Sequence, residues 1–302
     1  MKRIAATVVL AAGLIAPAVA QKAAGPGPKI ADLRGRLDER LKAIAGSLDG
    51  VMGYAVVDLA SGDRLERHAH ETFPTASTIK LAILYELFRQ VDEGRIQLDA
   101  ARTLDRRSAV GGSGILNELT TPTLSIRDYA TLMIVLSDNT ATNVLIDVVG
   151  MDNVTTRMAS LGLKATKLRR KMIDLEAARR GDENVSTPAE LALLLQFLHR
   201  GEGLSKASGE AVLAILRKPK SSPMRAAIPE DIVVANKPGD LEAVEVDAGI
   251  VYVERRPYIQ VVMTTYLKDN AAGTAAIQSA SRAAFEYFSR LAKSSEYGRA
   301  IR

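Results

Sequence analysis

Apolar residues recur at Ile30, Leu33, Leu37, Leu41, Ile44 and Leu48, in steps of three and four that place them on one face of a helix. The run 53–59 reads as a strand, and Ser61-Gly62-Asp63 behind it as the turn of a hairpin. From Ser77 to about His199 the spacing is mostly helical, with breaks at Gly and Pro. One helix start is well marked. Thr187-Pro188-Ala189-Glu190 supplies an N-cap, a proline at the first helical position and a glutamate at the third, ahead of an apolar run to Leu198. Strand patterns return at 232–235, 243–253 and 258–267, and a closing helix is expected over about 272–291. A strand run split by helices predicts an α+β chain in which a helical block is inserted into a sheet domain. There is no internal repeat.

Residues 1–20 follow a different logic. Lys2 and Arg3 precede an apolar run over 4–15, then Pro17 and Ala18-Val19-Ala20, the pattern of a secretory signal cleaved before Gln21. Residues 21–28 (QKAAGPGP) read as a flexible leader. No other segment is long and apolar enough to cross a bilayer. The expectation is an exported, periplasmic or secreted protein with no membrane attachment after cleavage.

Composition narrows the chemistry. The 302 residues carry 40 Lys+Arg against 35 Asp+Glu, a formal charge of +5 spread along the chain, which gives no footprint for nucleic acid. Cysteine is absent, which removes thiol catalysis, iron–sulfur clusters and disulfides. The histidines are His68, His70 and His199, and no cluster of acidic residues accompanies them, so no metal and no cofactor is expected. Nothing marks an oligomer, and a monomer is the default.

Three short motifs remain. Ser77-Thr78-Ile79-Lys80 opens an apolar helical run, and positions three apart share a helix face, so the Lys80 amine can reach the Ser77 hydroxyl. To act as a base Lys80 must be neutral, which requires burial or a second cation nearby. Ser137-Asp138-Asn139 lies between two helical stretches and offers a second hydroxyl and an amide. Lys237-Pro238-Gly239 follows the strand 232–235, where a lysine beside a glycine suits a substrate carboxylate. Taken singly, these read as an N-cap serine, a helix–helix turn and a turn lysine.

In this order and spacing they are similar to the Ser-x-x-Lys, Ser-Asp-Asn and Lys-Thr-Gly set of class A β-lactamases and penicillin-binding proteins. The chain resembles class A across nearly all of its mature region, including the Phe73-Pro74-x-x-Ser77-Thr78-x-Lys80 context. The resemblance implies an antiparallel sheet with flanking N- and C-terminal helices, formed by 29–76 and 227–302. An all-helical domain, 77–226, would be inserted into it, with the active site at the interface. By position, Ser77 is the acylated nucleophile, Lys80 its activator and Ser137 the proton donor to the β-lactam nitrogen. Asn139 binds the substrate's side-chain amide and Lys237 its carboxylate. The N–H groups of Ser77 and Asp240, the latter just past Gly239, form the oxyanion hole.

Two departures matter. Pro238 replaces the hydroxyl residue of the third motif. Aligning Leu168-Arg169-Arg170 and Gly181-Asp182 on the class A omega loop puts Met172 where the family has its deacylating glutamate and Glu176 where it has an asparagine. Glu176, one helical turn from Met172, is the candidate to hold the hydrolytic water instead. The expected activity is therefore a serine β-lactamase with weak release of the acyl group. A D,D-peptidase or esterase on the same scaffold, and a β-lactam-binding protein that stays acylated, are the alternatives.

Overall fold

The computed structural model describes residues 27–295 and 297–301; the expected signal segment lies outside the described residues. Helix α1 (Pro28–Ser47) takes its first turn from a proline, whose fixed φ suits a helix start, and buries Leu37, Leu41 and Ala45. It is followed by β1 (Val51–Asp58), the Ser61-Gly62-Asp63 turn, β2 (Arg64–Arg67) and the short β3 (Phe73–Pro74). A helical block comes next. It comprises α2 (Lys80–Asp92), the small β4–β5 pair (Ala101–Thr103, Thr123–Ser125), α3 (Ile126–Val135), α4 (Asn139–Val149), α5 (Met151–Ser160) and α6 (Leu175–Arg179). The strand β6 (Val185–Ser186) leads on to α7 (Pro188–Arg200), α8 (Lys206–Leu216) and the single turn α9 (Pro223–Ala226). The chain then returns to the sheet through β7 (Val234–Leu241), β8 (Val244–Val251) and β9 (Tyr258–Thr265), and closes with α10 (Asn270–Ala292).

The main sheet is antiparallel in the order β2-β1-β9-β8-β7, so a strand from each end of the chain meets at its centre. Strand β1 carries no alternation. Seven of its eight residues are buried, because helices cover both faces of the sheet. On one face α1 and α10 form a core with Tyr54, Val56, Val262 and Phe288, where the Tyr258 and Phe288 rings stack 4.2 Å apart. The other face joins the helical block in one continuous core around α2. Ten of the thirteen residues of α2 are buried, Lys80 among them, so a solvated lysine is not available at that position.

Most expected elements are present with ends shifted by a few residues. The exception is β7, expected to stop at Ala235, which runs on through Lys237-Pro238-Gly239 to Leu241. Those residues have the composition of a turn. They are held extended by pairing with β8, in which Lys237 faces Ala248 and Pro238 faces Asp247. A proline is tolerated there because β7 is the outermost strand and has a free edge.

Candidate active site

Ser77 lies in the 3-10 turn Ala76–Ile79 that leads directly into α2. The turn is fixed from below: Thr75 donates through its N–H and its hydroxyl to Asn184 O, and Thr78 Oγ1 donates to Thr75 O at 2.7 Å. It is fixed from the side by the free edge of β7. A Cβ on Gly239 would lie 2.5 Å from Ser77 N and 3.1 Å from the Ala76 methyl, so only glycine lets the strand come this close. Asp240, the next residue, lines the same cleft as Ser77.

The sequence predicts direct contact between Lys80 and Ser77; in the structure the hydrogen bonds join them through Ser137. The Lys80 amine donates to Ser137 O (2.7 Å), Ser137 Oγ (3.0 Å) and Asn139 Oδ1 (3.2 Å), which uses all three of its donors when charged. Ser137 Oγ donates to Ser77 Oγ at 2.9 Å. Lys237 approaches from β7 and donates to Ser137 Oγ (3.0 Å) and Pro238 O (2.6 Å). One hydroxyl thus links both lysines to Ser77.

Both amines are fully buried. Burial, and then the neighbouring Lys237 charge, pull the Lys80 pKa well below that of an ordinary lysine, against the weaker pull of Asp138 and Asp240. Burial lowers Lys237 to about 7, opposed by the carboxylate of Asp247 behind the strand. Two buried amines on one hydroxyl disfavour carrying a charge on both, which favours a Lys80 able to accept a proton.

Asp138 is structural. One carboxylate oxygen caps α4 by accepting from Ala141 N (2.7 Å); the other accepts from Ile115 N and Leu116 N, pinning the Gly-rich loop to the helix. That pin leaves Gly112 and Ser113 on the cleft rim and gives Asn139 Nδ2 a partner in Gly111 O (3.1 Å). Ala76, Ser137 and Ile173 all hold positive φ around the nucleophile, a concentration of backbone strain typical of functional sites.

The opposite wall of the cleft, whose volume is about 850 Å³, is the loop between α5 and α7. A Lys167–Val185 bridge closes its neck. Thr187 caps α7 as predicted, accepting from Glu190 N (3.1 Å). Glu190 does not return the bond. Its carboxylate instead takes Ala165 N and Thr166 N and ties the loop to the helix. Met172 is buried and lines the cleft, its backbone gripped on both sides by Asn143: Met172 N donates to Oδ1 (2.8 Å) and Nδ2 donates to Met172 O (3.1 Å). Sequence reasoning missed Asn143, although an asparagine one turn after Asn139 in the apolar run of α4 was a signal.

Glu176 is exposed, and it is not part of the cleft lining. Capping by Asp174, which accepts from Ala177 N (3.0 Å), fixes α6 so that Leu175 and Ala178 line the cleft while Glu176 faces solvent. The acidic residues that do line the cleft are Glu183, Asp240 and Glu242, and Glu183 is paired with Arg170 at 2.8 Å. Arg225 clamps the carbonyls of Ile228 and Ile232. His68 pairs with Glu71, and no metal-binding cluster is present among the described residues. No helix among them is long and apolar enough to cross a membrane.

Comparison with known proteins places this geometry. The chain is 29% identical over 235 residues to an imipenem-hydrolysing β-lactamase of Enterobacter cloacae, covering 75% of this chain and 80% of that one. A β-lactamase structure from Sphaerobacter thermophilus superposes with a TM-score of 0.76 at 32% identity, over 83% of this chain and 96% of the other. A mutant of PBP-A, solved as an acyl-enzyme complex with penicillin G, superposes at 0.78 with 28% identity, over 84% and 96%. The sequence model of the β-lactamase enzyme family matches residues 36–288, from α1 to near the end of α10, and the chain belongs to that family of serine β-lactamases.

Proposed function

We propose that the chain opens β-lactams by acylating Ser77 quickly and releases the acyl group slowly. The observation that carries this reading is the Ser77–Ser137–Lys80 relay, each step 3.0 Å or less, facing a cleft wall occupied by Met172. As Ser77 attacks the lactam carbonyl, Ser137 takes its proton and passes its own to neutral Lys80. When the C–N bond breaks, Ser137 protonates the departing nitrogen and recovers a proton from Lys80. The N–H groups of Ser77 and Asp240 would receive the oxyanion; one such donor is typically worth ~10²–10³ in rate. Charged Lys237 binds the substrate carboxylate, and Asn139 its side-chain amide.

Hydrolysis of the resulting ester needs a water and a base, and general base catalysis is worth about 10²–10⁴. The thioether of Met172 cannot accept a proton. Glu183 is tied to Arg170, and Glu176 points to solvent. The acyl-enzyme captured with penicillin G in the PBP-A mutant supports the same covalent route here. We further propose that residues 1–20 direct export to the periplasm, that the mature chain acts as a monomer, and that 77–226 forms the helical domain against a sheet domain of 29–76 and 227–302.

Intact-mass measurement after mixing with benzylpenicillin tests the proposal. A one-to-one adduct that is lost in Ser77→Ala supports it; an unmodified wild-type protein with no hydrolysed penicillin refutes it.

A further inference from the structure

A second cleft, of about 780 Å³, lies at the α1/α10 layer and shares no lining residue with the catalytic cleft. It is built by the first turns of α1, the β1–β2 turn, the β8–β9 hairpin and the end of α10 with the residues just after it. Every charged side chain in its lining is a cation: Lys29, Arg255, Arg256 and Arg290. Like charges gathered around one concavity repel unless something negative lies between them. Among the described residues a single carboxylate, Asp58, pairs with any of the four. It meets Arg256 at 3.1 Å, and it is already occupied by Ala60 N (2.8 Å) and Ser61 Oγ (2.9 Å). Arg255 and Arg290 are exposed, and among the described residues their guanidinium groups make no ion pair or hydrogen bond. Lys29 reaches only the Tyr297 carbonyl, at 3.4 Å. Arg255 also holds a left-handed backbone (φ 65°) in the hairpin, a conformation that favours glycine or asparagine over arginine. Beside the cations the wall is apolar, formed by Ile30, Leu33 and Leu291.

We propose that this cleft binds an organic phosphate. The guanidinium groups of Arg255, Arg256 and Arg290 take the phosphate oxygens, and Ile30, Leu33 and Leu291 take an apolar group attached to it. Guanidinium forks match the geometry of phosphate and give it charge-assisted hydrogen bonds. The volume exceeds what a bare phosphate fills and lies in the range of roughly 300–1,000 Å³ usual for small organic ligands. The positive end of the α1 dipole, at Lys29 and Ile30, adds to the field. The site is separate from acylation of Ser77 and does not depend on it. A soluble phosphate ester and the headgroup of an anionic phospholipid share this chemistry.

The test uses 1-naphthyl phosphate as the soluble probe and inorganic phosphate as the probe without an apolar group. Phosphatidylglycerol vesicles, against phosphatidylcholine vesicles, represent the lipid source. Calorimetric titration of the purified protein should give one-site binding of naphthyl phosphate, about tenfold or more tighter than inorganic phosphate. Arg255→Ala and Arg290→Ala should each weaken it by about tenfold. Both side chains are exposed, so these variants should keep the wild-type Tm. Acylation by benzylpenicillin should proceed at an unchanged rate with the probe bound, which separates this site from the catalytic cleft. Vesicle binding that falls with the same two substitutions identifies the lipid headgroup as the ligand; naphthyl phosphate binding without it identifies a soluble ester. No saturable binding of either, an affinity unchanged in both variants, or a probe that competes with acylation overturns the proposal. So does binding that appears only in Glu296→Gln. Glu296 follows Ser295 and lies outside the described residues, and the cations would then serve the chain's own carboxylate.

Discussion

Replacing Met172 by glutamate isolates the step that limits turnover. The residue is 8% exposed and lines the cleft, and Asn143 holds it by its N–H and its carbonyl, so the grip does not depend on the side chain. Met172→Glu therefore puts a carboxylate into a position whose backbone is already fixed. A positioned general base contributes about 10²–10⁴, so the acyl-enzyme should decay at least ~10²-fold faster while the rate of its formation stays within a few-fold. The substitution removes a methionine from the core and introduces a charge at a buried wall, a destabilisation of ~1–3 kcal/mol. That leaves a folded protein on which to read kinetics. The assay is a chase: acylate with benzylpenicillin, remove excess drug, and follow the lifetime of the mass adduct. A variant that is folded and acylates at the wild-type rate, but whose adduct lives as long as before, would refute the assignment of this wall to deacylation.

The lysine cluster and the strand edge set three further outcomes. Acylation should show a bell-shaped pH profile, lost on the acid side as Lys80 takes up a proton and on the alkaline side as Lys237, with a pKa of about 7, loses its own. Lys237→Arg should remove the alkaline limb, since a guanidinium keeps its charge, and a profile unchanged in that variant would contradict the assignment. Both lysines have folded-state pKa values below their unfolded ones, so the unfolded chain binds more protons in the interval between, and stability rises with pH there. Lys80→Met should accordingly abolish acylation and raise Tm by roughly 2–4 °C at neutral pH, read by calorimetry. Gly239→Ala must push β7 away from Ser77 N; we expect about a 10²–10³-fold loss in acylation with little loss of Tm, because the strand can shift at its free edge.

Legibility in the sequence followed the range of the forces involved. Helix α7 was readable from Thr187 and Pro188 because capping is local, and α1 from a six-position apolar stripe. The end of β7 was not, since Asn236-Lys237-Pro238-Gly239-Asp240 has turn composition and only the partner strand β8 holds it extended. Ser77, Lys80, Ser137, Asn139 and Lys237 were found from motif order and do converge. Their wiring was hidden, because the hydroxyl at the hub, Ser137, is sixty residues from Ser77 and takes a positive φ that no local pattern announces. Glu176 shows the limit of spacing arguments. One helical turn from Met172 is correct along the chain, yet the Asp174 cap sets the rotation of α6 and turns that carboxylate outward.

The most direct measurement is stopped-flow hydrolysis of nitrocefin by residues 21–302 at enzyme concentrations high enough to see one turnover. Fast acylation of Ser77 with slow release predicts a burst of one equivalent, absent in Ser77→Ala, followed by a much slower steady phase. Linear turnover from the first milliseconds with no burst, or a burst that survives in Ser77→Ala, would contradict it.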